Sequence, residues 1–332
     1  ATPISLSGLA NGPHTLEVVA KNDAGTYQDS PDLGADARIT RATWTVDPSH
    51  IPPAPAAIVR INELLASNTE TLSFGSVFPD LIELTNVGTA TADLGGWGLS
   101  DNASLPFKYT FPSGTTLAPG AFLVIPASSS GGVPAPKTGF ALDADGDDLT
   151  LTRSATAGGG IADRVVWGRQ LADRSIGRSV DASWGLCRPT FGTVNLPAAQ
   201  SPANVVKINE WLADAGTLFP NDFIELHNPG PLPVGIGGHF LTDSQSGWPN
   251  RSPIRQLTFI PAGGFLVFKA DGDVSQGADH AAFRLSPLHG EIAFISPTLT
   301  VIDSALYGPQ RTDLSQGRAP DYRVEQRRVL RE

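Results

Sequence analysis

The chain has no methionine and a single cysteine, Cys187. One cysteine cannot form an internal disulfide, so the fold must rest on its core and its hydrogen bonds. The lone cysteine does not argue for the cytosol, because exported bacterial proteins often lack disulfides. The absence of methionine from 332 residues departs from average composition. It fits a segment of an unusual longer protein that starts upstream of Ala1. The alternative is that modified methionines were dropped from the sequence, which would make some spacings one residue short. No apolar run approaches a membrane span and no signal peptide is present. No sustained stretch carries apolar residues at helical spacing. Positive charge is scarce: 23 Lys and Arg face 33 Asp and Glu, a net charge of -10 and a pI of about 5.0. That balance repels nucleic acid and acidic membrane surfaces at long range and leaves room only for a local basic patch.

Catalytic signatures are missing too. There is no phosphate-binding Gly-Lys loop, no serine elbow and no histidine pair at zinc-ligand spacing. What is plentiful is glycine (35) and proline (28), the composition of many short strands and turns. Above all, the chain repeats itself. Ile61-Asn62-Glu63 recurs as Ile208-Asn209-Glu210, an offset of 147 residues, which is domain-sized. Phe78-Pro79-Asp80-Leu81-Ile82-Glu83-Leu84, then Asn86 and Gly88, is answered by Phe219-Pro220-Asn221-Asp222-Phe223-Ile224-Glu225-Leu226, then Asn228 and Gly230. Gly95-Gly96-Trp97-Gly98-Leu99-Ser100-Asp101 is answered by Gly237-Gly238-His239-Phe240-Leu241-Thr242-Asp243. Phe122-Leu123-Val124-Ile125 matches Phe265-Leu266-Val267-Phe268. Asp163, Trp167-Gly168, Asp173, Ser175 and Gly177-Arg178 match Asp303, Tyr307-Gly308, Asp313, Ser315 and Gly317-Arg318 at identical spacing. The six histidines (14, 50, 227, 239, 280, 289) do not recur between the copies, and Cys187 has no counterpart. A shared metal site or a cysteine nucleophile is therefore disfavoured.

This ordered set resembles the lamin tail domain, an immunoglobulin-like β-sandwich. The pattern "INE", then "D-x-I-E-L-x-N-x-G", "G-W-x-L-S-D", "PG-x-(F/Y)-L-V-I", and a late "D-x-x-x-(Y/W)-G" and "D-x-S-x-G-R" occurs nearly whole in both copies, over about 57–185 and 204–321. The departures are His239 in place of Trp97 and a shorter segment before Phe265. Upstream, His14 to Lys21 alternates Leu16, Val18 and Ala20 on one face, and Ala42, Trp44 and Val46 alternate likewise. That stretch resembles the second half of a bacterial immunoglobulin or fibronectin-like module.

The expected fold class is thus all-β: tandem immunoglobulin-like β-sandwiches with a partial β module at the N-terminus. The expected layout is 1–47 for the partial module, 48–57 for a proline-rich semi-rigid linker, and 58–203 for the first sandwich with its connection. The second sandwich takes 204–322, and 323–332 forms a tail or the start of a further segment. Phe122 to Ile125 reads as a central strand, being continuously apolar. Phe107, Tyr109 and Phe111 are expected on one strand face, and 282–285 is expected as a strand. Trp184, in the connection, is expected to pack back on the first core.

Three groups of polar residues are candidate sites. Glu63, Glu83 and Arg178, repeated as Glu210, Glu225 and Arg318, fit either a pair of acids for acid–base chemistry or a structural cluster in which an arginine bridges a carboxylate. The structural reading is preferred, with Arg178 on Glu83 or Glu63 and Arg318 on Glu225 or Glu210. Asp163 and Asp303, Asp101 and Asp243 are assigned to turn donors. Asp143, Asp145 and Asp147 alternate around Gly146 like the start of a calcium loop, though no glutamate closes the shell; an acidic hairpin turn is the alternative. The loop 244–255 carries Trp248, Asn250, Arg251 and Arg255, which could contact a glycan, peptide or nucleic acid, or simply cap the core.

The functional expectation is a non-catalytic structural, adhesion or ligand-binding segment of a large exported bacterial protein, at the cell surface or outside the cell. It would have no cofactor beyond that calcium, an unknown protein or glycan partner, no nucleic acid partner and a monomeric state. The resemblance implies an alternative: accessory substrate- or nucleic-acid-binding domains attached to an upstream enzyme, CotH-kinase-like or hydrolase.

Overall fold

The computed structural model describes residues 9–18, 40–46, 56–318 and 324–327. The chain divides into two compact units, Ala1–Ala54 and Pro55–Glu332. In the first, Gly12–Val18 pairs antiparallel with Thr40–Val46. Two opposed pairs hold the hairpin: His14 stacks on Trp44 with ring centroids 5.8 Å apart, and Arg41 Nε donates to Glu17 at 2.8 Å. The rest of the expected N-terminal module and most of the 48–57 linker lie outside the described residues.

The second unit is built from antiparallel strands, with no α-helix among the described residues. Its first half stacks two sheets. The larger runs in the order Leu196–Pro197, Trp184–Arg188, Ser175–Arg178, Val59–Leu65, Asp80–Asn86, Phe122–Ala127. The smaller runs Ile161–Trp167, Asp147–Thr152, Gly98–Ser100, Tyr109–Thr110. Between them sit Ile61, Ile82, Leu84, Leu99, Leu149 and Trp167, all fully buried. The second half repeats the plan. Its larger sheet is Phe265–Lys269, Phe223–His227, Lys207–Leu212, Ser315–Arg318, Val324–Arg327, and its smaller one Ser252–Pro253, Phe240–Thr242, Gly290–Ile295, Val301–Tyr307. A separate core of Ile208, Trp211, Ile224, Phe283 and Phe294 fills it. These are immunoglobulin-like β-sandwiches.

The duplicated tripeptide owes its form to a bulge. In Val59–Leu65 the register slips between Ile61 and Glu63, so Asn62 has no cross-strand partner. A regular strand would put Glu63 on the same face as Ile61. The extra residue instead keeps Ile61 and Leu64 in the core and turns Glu63 to the opposite face, across from Glu83. Lys207–Leu212 slips at Asn209 in the same way, leaving Ile208 and Trp211 inward and Glu210 opposite Glu225.

Several expected elements fall differently. Phe122–Ala127 is an edge strand, not a central one, and Phe122, Leu123 and Val124 stay half-exposed. Tyr109–Thr110 is only two residues long; Tyr109 and Phe111 meet edge to face at 5.0 Å and both pack on the core, as expected, while Phe107 is exposed. Ala281, Phe283 and Leu285 are buried, but 282–285 makes only an isolated bridge from Arg284 to Asp271. The stretch expected as a connection supplies two strands, Trp184–Arg188 and Leu196–Pro197, to the first large sheet. Trp184 packs against the first core from there. Val324–Arg327, expected in a tail, pairs with Ser315–Arg318.

The two halves are locked along one seam. The Gly168 N–H donates to the Gln256 carbonyl, and the Phe259 N–H to the Arg169 carbonyl, both at 3.0 Å. Gln170 Nε2 donates to the Leu257 carbonyl at 2.6 Å. Phe259 belongs to the second half by sequence, yet its ring is part of the first half's core. Leu257 packs against that core while holding a φ of 55°, a conformation that costs a non-glycine residue about 1 kcal/mol or more. Gly168 is required here, because a Cβ on it would lie 2.0 Å from Thr258 Oγ1. Phe259→Ala should therefore cost about 3–5 kcal/mol, and equilibrium urea unfolding should show that loss in the first half, where the ring is buried.

Candidate functional site

The repeated acids and arginines converge around the bulge. The Ile61 N–H donates to Asp163 Oδ2 at 2.9 Å. Asp163 stands on Ile161–Trp167, in the facing sheet. Arg178 Nη2 donates to both Asp163 oxygens at 2.8 and 2.9 Å, its Nε donates to the Ile61 carbonyl at 2.9 Å, and Nη1 donates to the Ala182 carbonyl. Trp184 covers the guanidinium at 4.7 Å. One arginine and one aspartate thus tie both sheets to the bulge. The second half carries the same tie: the Ile208 N–H donates to Asp303 Oδ2 at 2.8 Å, and Arg318 pairs with Asp303 and donates to the Ser304 carbonyl.

This corrects the expected pairing. Arg178 engages Asp163, not Glu63 or Glu83, and Arg318 engages Asp303, not Glu210 or Glu225. The bulge is the reason. It moves the glutamates to the sheet face away from the aspartate, while the arginine reaches the bulged backbone itself.

The glutamates form a second cluster. Glu63 and Glu83 are directly opposed and fully buried. Ser175 Oγ donates to Glu63 at 2.5 Å, and the Thr190 N–H donates to it at 3.0 Å. Asn62 Nδ2 donates to Glu83 at 2.7 Å, and the Gly192 N–H also donates to Glu83. Asn195 Nδ2 closes the group by donating to the Asn62 and Arg178 carbonyls. Burial pushes the Glu63 carboxyl from its ordinary 4.5 up to about 7, against the pull of Ser175 and Thr190, with the Glu83 charge adding to the rise. Burial likewise raises Glu83, against the hydrogen bonds from Gly192 and Asn62. In the second half Asn209 donates to Glu225 at 2.7 Å, Ser315 donates to Glu210, and burial raises Glu225.

A third device went unassigned in the sequence. Asp173 and Asp313 adopt positive φ of 54° and 57°. Their carboxylates accept backbone N–H groups from the loop after the opening strand: Thr69, Glu70 and Thr71 for Asp173, and Gly216, Thr217, Leu218 and Phe219 for Asp313. Burial works to raise both, but the hydrogen bonds prevail and hold both carboxyls below the ordinary carboxylate range. Identical spacing from Asp163 to Arg178 and from Asp303 to Arg318 was the available signal for all three devices.

The other candidates are dispersed. Asp143 accepts the Asp145 N–H, Asp147 accepts the Asp143 N–H, and Asp145 pairs with Arg169. Among the described residues, no three His, Cys, Asp or Glu are grouped to hold a metal ion. Their carboxylates are engaged in turn hydrogen bonds and an ion pair. Trp248 is 55 % exposed, with Arg251 at 5.3 Å from its ring. Arg251 also pairs with Asp243 and lies over Phe283. Asn250 is exposed on the same loop. Arg255 is elsewhere, at the seam, where it lines a cavity of about 580 Å³ with Ile254, Val274 and His280.

Residues 52–169 match the family model of the Lamin Tail Domain. No curated protein and no solved structure matches the chain. The lamin-tail match spans the bulged strand and Asp163 but stops short of Arg178, so the tie is completed by residues beyond it.

Stability should carry the signature of the buried glutamates. Glu63 has a folded pKa above its unfolded value, so the unfolded state binds fewer protons between about pH 4.5 and 7. Its contribution is full below pH 4.5 and is lost as pH rises through about 7. Asp80, raised by burial to about 6, acts in the same sense. Glu63→Gln should flatten the loss across that window, measured as unfolding free energy against pH. Separately, a double-mutant cycle of Asp163→Ala and Arg178→Ala should give a coupling of about 1–3 kcal/mol.

Proposed function

We propose that this segment is a non-catalytic, stiff pair of lamin-tail-like sandwiches that spaces and presents a binding surface in an exported bacterial protein. The observation that carries this reading is that the groups recurring in both halves end on one another. Glu63, Asp163, Asp173 and Arg178 all spend their hydrogen bonds on backbone or on neighbouring side chains of the same sandwich. A pair of buried acids with raised pKa would suit acid–base chemistry. Here the segment carrying Thr190 and Gly192 covers them, and each is saturated from inside. The seam supports stiffness, since it joins the halves by backbone hydrogen bonds, the Gln170 amide and a shared aromatic ring. No helix among the described residues is long and apolar enough to cross a membrane. Cys187 is buried, and burial pushes its thiol up to about 11, so it is protected from oxidants outside the cell. The surface offered to a protein or glycan partner is the loop of Trp248 and Asn250, where an exposed indole face stands beside a guanidinium.

Spin labels at Leu105→Cys and Leu306→Cys, both exposed positions in different halves, test the stiffness. A single narrow distance distribution is expected, and a broad one would refute the spacer reading. For the surface, retention of the intact chain on isolated cell-wall polysaccharide should drop in Trp248→Ala. DNA binding that weakened steeply with added salt would instead favour an accessory nucleic-acid role.

A further inference from the structure

The end of the first half that seats the second half has a free counterpart at the end of the second. Gly168, Arg169 and Gln170 correspond to Gly308, Pro309 and Gln310, one residue after Trp167 and Tyr307 respectively. The correspondence holds in three dimensions: Gln170 N donates to the Ala144 carbonyl and Gln310 N to the Pro287 carbonyl, at the same point of each sandwich. Gly168 is buried against Thr258, whereas Gly308 is exposed and a Cβ on it would meet nothing within 4 Å. Gln170 Nε2 donates across the seam, whereas Gln310 Nε2 is buried with no hydrogen-bond partner. Beside them Leu288 is 67 % exposed, where the first half has Asp145 paired with Arg169.

The complementary surface is also present in free form. On the second half the seam is made by 256–259. The corresponding loop of the first half is 113–116, fixed by matching bonds: Leu94 N to the Thr115 carbonyl, and Ile236 N to the Thr258 carbonyl. Ser113, Gly114 and Thr116 are exposed. Gly114 has a φ of 81°, the backbone conformation that Leu257 adopts at the seam. The three seam hydrogen bonds use only the backbone of 256–259, so 113–116 can offer the same carbonyls and N–H.

We propose that this chain associates head-to-tail with a second copy of itself. The 113–116 loop of one copy would dock on Gly308, Pro309 and Gln310 of the next, reproducing the seam between the halves. In that arrangement the Gly308 N–H donates to the Ser113 carbonyl and the Thr116 N–H to the Pro309 carbonyl. Such a contact joins unlike surfaces, so it propagates from copy to copy, into a ring or an open array according to the rotation between them. It is weaker than the internal seam, because Thr116 stands where Phe259 anchors and Gly114 where Leu257 packs. The association requires only the seam geometry, whatever the segment presents.

Sedimentation equilibrium of the whole chain tests the proposal. The mass should rise above 34.8 kDa with concentration, with a Kd in the range of about 1 mM. Thr116→Phe restores the missing anchor and should tighten association about tenfold. Gly308→Val has room on the free surface, so it should leave folding intact and abolish association, as a side chain at Gly168 would collide with Thr258. Wild type and Thr116→Phe both staying monomeric to about 1 mM would overturn the proposal. So would association that Gly308→Val leaves unchanged, which would place the contact on another surface.

Discussion

The bulge at Asn62 is the constraint on which the first half depends. It is a local defect in a ladder, and the N–H of Ile61, the residue before it, finds its acceptor outside the ladder. A buried donor left unpaired would cost about 1–3 kcal/mol. Asp163, reaching over from the facing sheet, accepts it, and a carboxylate brought there needs a counter-charge. Arg178 supplies the charge and spends its remaining donors on the Ile61 and Ala182 carbonyls. The defect thereby becomes a cross-link between the two sheets, and the same sequence of consequences appears at Asn209, Asp303 and Arg318.

That cross-link sets where the remaining polar groups go. Because the bulge turns Glu63 away from the core, it faces Glu83 across the ladder, and two opposed carboxylates repel. Burial and the Glu83 charge push Glu63 up to about 7, so near neutral pH it carries a proton for much of the time, which relieves the repulsion. Ser175, Thr190, Asn62, Gly192 and Asn195 then enclose the pair. Strongly shifted carboxyls often mark active sites. Here the shift arises from packing, and the saturated hydrogen bonding leaves no accessible oxygen for a substrate.

Between the halves the logic is different. The seam uses backbone groups, a glycine and the Gln170 amide, while Phe259 and Leu257 supply the anchoring apolar area. A sandwich that joins its neighbour mainly through backbone can repeat the joint with other sandwiches. The free Gly308 end and the free 113–116 loop are the two sides of that repeated joint.

The sequence alone determined the class of fold and the correspondence between the two copies. Short apolar strands broken by glycine and proline, and landmarks recurring in order at 61 and 208, sufficed for these because each is a local or periodic property. Which charge meets which was decided only by the tertiary structure. Arg178 looked equally able to reach Glu83, but one extra residue in a strand exchanges its faces, and a bulge leaves no mark in composition or periodicity. The same holds for Phe122–Ala127, whose continuous apolar run suggested a central strand although it lies at an edge. It holds too for Phe259, whose ring belongs to a core otherwise built from Val59 to Leu186. Contacts that depend on register and on the meeting of distant segments exist only once the chain has folded.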